Sequence, residues 1–96
     1  MVRHIVLFWL KDKRQIEETV NILQSMKGKI PGLLQIEAGK DFAQSDRSCD
    51  ICLNTLFETA EALAVYRTHP VHIPVQKHMH SVMERSVSAD YEVTAI

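Results

Sequence analysis

The nine residues Val2–Leu10, VRHIVLFWL, decide how the rest of the chain is read. β-Branched and aromatic side chains dominate the run, which is the composition of a strand. Successive side chains of a strand point to opposite faces, so Val2, His4, Val6, Phe8 and Leu10 share one side. Arg3, Ile5, Leu7 and Trp9 share the other. Both sides are mostly apolar. In a small domain with one sheet, helices cover one face, and the second apolar face needs another cover. A second copy of the chain is the economical one, so a homodimer built on the sheet face is expected.

Working outward, Ile16, Val20, Leu23, Met26 and Ile30 recur at helical spacing, with Glu17, Glu18, Asn21 and Gln24 on the opposite side. This predicts an amphipathic helix of about four turns, ended near Gly28 and Pro31. Residues 33–42 read as a more polar strand, 44–48 as a turn, and 50–57 as a third strand. Thr59 suits an N-cap, with Glu61 in the first turn. That helix should run through Tyr66 and break near His69, because Pro70 disfavours helix in the residue before it. Residues 71–82 form a second helical piece, and 84–95 return as a strand. The order β-α-β-β-α-β is the α+β, ferredoxin-like plan: a four-stranded antiparallel sheet with its helices on one face. Two such sheets packed face to face make a dimeric α/β barrel.

The totals narrow the function classes. A chain of 96 residues suits one domain, 1–96, with a modest core. Eleven Lys and Arg against twelve Asp and Glu leave a net charge of −1, without the basic excess of a nucleic-acid binder. The longest apolar run, from Ile5 to Leu10, is far short of the ~20 residues of a membrane-spanning helix. No cleavage signal marks the N-terminus, and a cytoplasmic location is expected.

Cys49 and Cys52 form the one C-x-x-C. Placed in a strand, positions i and i+3 face opposite ways and cannot share a disulfide or a metal, so core filling is the expected role. Four of the five histidines fall in VYRTHPVHIPVQKHMH, residues 65–80. Apolar positions from Val71 onward are spaced 3, 4, 3: His72, Val75, Met79 and Val82. His72 therefore starts the buried stripe. His78 lies about 240° around the helix from it, and His78 and His80 diverge by about 200°. Both are read as surface residues, and no spacing here matches a metal site. An imidazole on an apolar stripe needs a hydrogen-bonding partner. His4 on the first strand and Tyr66 at the end of the preceding helix can enter the same space. Two imidazoles and a phenol can move protons near neutral pH; a satisfied core histidine beside a packing tyrosine is the structural alternative.

The segments H-I-V-L-F (4–8), D-I-C-L (50–53), F-E-T (57–59), Y-R-T-H-P-V-H (66–72) and V-S-A-D-Y-E (87–92) together resemble the Dabb family, the stress-responsive A/B barrel domains. The likeness spans nearly the whole chain, and Tyr66…His69-Pro70-x-His72 is its most specific part. It implies a ferredoxin-like fold in a homodimeric α/β barrel. The family includes a plant polyketide cyclase that closes a linear tetraketide by aldol condensation without a cofactor. Its catalytic His and Tyr correspond to His72 and Tyr66, and its first-strand pocket His to His4. A further pocket His falls at Ile51. The implied site has His72, Tyr66 and His4 as catalytic residues and Val6, Phe8, Ile51, Val75 and Met79 against a small apolar or polyketide-like ligand. No cofactor and no metal is implied. The rival reading is a non-catalytic stress-responsive dimer with a structural His72. No residue pattern points to the heme or oxygen chemistry of barrels sharing this plan.

Overall fold

A computed structural model describes residues 1–94. It contains β1 (Val2–Leu10), a 3-10 turn (Lys13–Gln15), α1 (Ile16–Gln24), β2 (Leu33–Lys40), β3 (Ile51–Phe57), α2 (Ala60–Thr68), α3 (His72–Val82) and β4 (Met83–Glu92). The strands form one antiparallel sheet in the order β2-β3-β1-β4. This is the ferredoxin-like arrangement. β4 stops at Glu92, and Ala95, the expected end of that strand, lies outside the described residues. Among the described residues no helix is long and apolar enough to cross a membrane.

The alternation of β1 is realised in full: Val2, His4, Val6, Phe8 and Leu10 are buried, while the residues between them are half-buried. Ile36 and Ala38 of β2 and Ile51, Leu53 and Thr55 of β3 join them on the helix-covered side. On the other face Ile5, Leu7, Cys52, Val87 and Ala89 form an apolar centre. Arg85 packs its guanidinium over the Trp9 ring at 4.0 Å. Tyr91 and Val87 there are about half exposed, at 50% and 46%.

The first helix is shorter than its apolar period suggests. Beyond Gln24 the bonds tighten to i→i−3 steps, Met26 N–H to Leu23 O, Lys27 to Gln24 and Lys29 to Met26. The Ser25 hydroxyl also donates to the Ile22 carbonyl. Gly28 then takes φ +75°, a left-handed conformation that ends the helical path. Met26 and Ile30 stay buried because the tightened turns still face the sheet. The cysteines are not core filling as expected. Cys49 lies in the loop before β3 and Cys52 on the bare sheet face, so both thiols are free and half-buried.

Asp50 closes an irregularity at the end of β1, where the pairing with β4 shifts between Trp9 and Leu10. Its carboxylate, 3% exposed, accepts from the Leu10 N–H at 2.7 Å and from Lys13 Nζ at 2.6 and 2.7 Å. Asp50→Ala is expected to cost roughly 1–3 kcal/mol, because it strands a buried backbone donor. Asp50→Asn should cost less, since its amide oxygen can still accept from Leu10. Urea unfolding of the two variants beside the parent checks the order.

Candidate functional site between β1, β4 and the α2–α3 corner

The corner is set by local chemistry. Thr59 Oγ1 accepts from the Ala62 N–H at 3.1 Å and starts α2. His69, forced extended by Pro70 (ψ 139°), stops it. The His69 ring then accepts the Val71 N–H at 3.1 Å and opens the next helix. Pro74 is harmless in the first turn of α3, where backbone N–H groups have no intrahelical acceptor.

This break turns His72 back over Tyr66. The two ring centroids are 4.1 Å apart with planes 30° apart. His72 Nδ1 lies 3.2 Å from the Arg67 carbonyl. A carbonyl can only accept, so Nδ1 carries the proton and Nε2 keeps its lone pair in the neutral ring. Burial pushes the His72 pKa below its ordinary value of 6.5, opposed by that backbone hydrogen bond. Tyr66 is 3% exposed, and burial pushes its phenol up to about 12. It is thus a proton donor to hydrogen bonds, not a base, at neutral pH. Among the described residues its hydroxyl has no protein partner, and it is not sealed from solvent.

His4 stands 6.2 Å from Tyr66, centroid to centroid, with both rings against Phe57. Its Nδ1 is hydrogen-bonded to Asp90 Oδ1 directly across the β1–β4 ladder. The other Asp90 oxygen accepts from Arg67 Nη2 at 3.4 Å. His4, Tyr66 and His72 converge on one cavity of about 260 Å³ between sheet and helices. Val6, Phe8, Leu53, Val75 and Met79 line it. Ser86 and Ser88 of exposed β4 mark its open side.

Three expectations need correction. Ile51 is fully buried in the core and does not line the cavity: it lies at the start of β3, paired with Phe8, and Leu53, two residues further along the same face and paired with Val6, takes the wall position. His78 is not a free surface residue. α1 packs beside α3 on the same sheet face, and His78 Nε2 lies 3.0 Å from Oγ1 of the fully buried Thr19. His72, expected to be buried at the wall of a cavity, is only half-buried there; His80 is exposed, as a surface residue should be, and reaches the cavity rim. Neither Asp90 nor Arg67 stands out as a site residue in the sequence. The period-2 pattern Ser86, Ser88, Asp90, in register with Phe8, Val6 and His4, is the signal that places Asp90 on the same face. Among the described residues no three His, Cys, Asp or Glu side chains gather at metal-binding distance.

A four-stranded antiparallel sheet with its helices on one face places the chain among the ferredoxin-like α+β proteins. Within that class the chain belongs to the Dabb family, the stress responsive A/B barrel domain, whose sequence profile matches residues 2–93. A stress-response A/B barrel domain-containing protein of Arabidopsis thaliana is 21% identical, over 98% of this chain and 87% of its own length. Among solved structures, a dimeric ferredoxin-like protein of unknown function from Bacteroides fragilis is 27% identical. The match covers 96% of this chain and 95% of that one, with a TM-score of 0.83. Hydroxynitrile lyase from Passiflora edulis shares the fold at 20% identity and TM-score 0.82, over 99% of this chain and 94% of that one.

Proposed function

We propose that the protein is a homodimer, paired through its bare sheet face, that binds a small, mostly apolar carbonyl compound in the cavity and moves a proton on it without a cofactor. The observation that carries this reading is the contact of His72 Nδ1 with the Arg67 carbonyl. The Nδ1 proton is committed to the Arg67 carbonyl, which leaves Nε2 as a base in a half-buried site beside a phenol whose hydroxyl is unengaged. His72 takes a proton from an acidic C–H, and Tyr66 donates a hydrogen bond to the oxygen where charge develops. His4, held by Asp90, orients the ligand. The dimeric Bacteroides fragilis relative supports self-association.

Nitrobenzisoxazole tests the base directly. Loss of its ring C–H proton breaks the N–O bond, forms a nitrile and releases a coloured phenolate. Purified protein should open it faster than imidazole at matched concentration of the neutral base. The rate should fall on the acid side below pH 6.5, since the site pKa of His72 is depressed, and stay level through neutrality. Stability should follow the same group. The folded state disfavours imidazolium, so the His72 contribution is complete above 6.5 and is lost as pH falls through the lower folded value. Thermal melts between pH 8 and 5 check this, and a His72→Gln variant should show a shallower decline. A rate no greater than that of imidazole would count against the base.

A further inference from the structure

We propose that the cavity selects ligands carrying a carboxylate, received by the Arg67 guanidinium at the rim; the inference rests on the small-ligand reading above. Among the described residues that line the cavity, Arg67 is the one Arg or Lys, and no Asp or Glu lines it. The remaining rim includes Gln76, His80, Ser86 and Ser88, side chains able to donate hydrogen bonds. The floor, with Val6, Phe8, Leu53 and Met79, is apolar. A lining that is apolar at one end and cationic at the other matches a ligand with an apolar body and an anionic head.

The guanidinium is positioned but not used up. Asp90 touches it through one long contact of 3.4 Å, and the same carboxylate is shared with His4. Arg67 keeps 56% of its side-chain surface exposed. A guanidinium has five N–H donors in a planar fork, and one such contact leaves a free edge for a bidentate carboxylate. Arg67 also follows Tyr66 directly in α2, and its carbonyl holds His72. A head group anchored on Arg67 therefore leaves the ligand body beside the phenol and the imidazole. The volume suits on the order of ten non-hydrogen atoms, scaled from the ~150 Å³ cavity that takes benzene.

Calorimetry with benzoylpropanoate and its methyl ester, at low and at physiological salt, tests this. The acid should bind the native protein at least roughly tenfold tighter than the ester, the low end for a charge-assisted pair at a half-exposed site. Added salt should shrink that preference. Arg67→Gln should bring the ratio of the two affinities close to one, while Arg67→Lys, which keeps the charge without the fork, should retain part of it. Circular dichroism and melting confirm that each variant folds. Equal binding of acid and ester to the native protein overturns the carboxylate assignment and leaves the small-ligand reading standing. Failure of both to bind at millimolar concentration overturns both readings.

Discussion

Leu7→Glu is expected to turn the proposed dimer into a folded monomer. Leu7 sits at the centre of the sheet face that no helix covers, paired with Cys52 on one side and Val87 on the other. Ile5 and Ala89 extend the apolar area, and Arg3, Glu37 and Arg85 stand around it, the arrangement of an apolar interface centre inside a polar rim. In a two-fold symmetric contact the same substitution enters twice, and each buried carboxylate lacks a partner. Truncating or stranding one partner of a buried charge costs about 3–5 kcal/mol, so even one such cost weakens the dimer by more than roughly 10²-fold. The core lies on the opposite face, with Val6 and Phe8 facing it. Loss of the interface should therefore leave circular dichroism intact. Sedimentation of parent and variant at micromolar concentration reads the result. A parent that sediments as a monomer, or a variant that stays a dimer, would refute the sheet-face interface.

The part of this molecule legible in its sequence is the part governed by local alternation. β1 declares both faces because its side chains repeat with period two, and every position falls on the side the pattern assigns. The Pro70 break is equally local, and it fixes where α2 ends and where His72 turns back. What the sequence hid depends on neighbours distant along the chain. The fate of His78 is set by α1, which covers a flank of α3 that a helical wheel marks as outward. Ile51 and Leu53 share a face of one strand, and only their position along it relative to the cavity separates wall from core. Asp90 becomes a site residue through the register of β4 on β1, which pairs it with His4. The early end of α1 is a contest of small terms, in which apolar spacing continues after Ser25 and Gly28 have ended the helix.

The largest effect on chemistry is expected at His72. His72→Ala removes the Nε2 base, and a positioned general base contributes about 10²–10⁴-fold, so the opening of nitrobenzisoxazole should fall by that order. The same change also unmakes structure: the Arg67 carbonyl loses its donor and the Tyr66 ring its neighbour. A cost of roughly 1–3 kcal/mol in stability follows. Loss of rate in the alanine variant alone would thus confound a missing base with a loosened corner. His72→Gln separates the two, because an amide N–H can still reach the Arg67 carbonyl while offering no imidazole. Stability should recover in part and the rate should not. His78→Ala supplies the opposite control. It leaves Thr19 Oγ1 buried without its partner and should cost about 1 kcal/mol, yet His78 does not line the cavity and the rate should hold. If the glutamine variant keeps the parent's rate, or the rate merely tracks stability across all three variants, His72 is a structural staple between α2 and α3. The cavity would then hold ligands without acting on them.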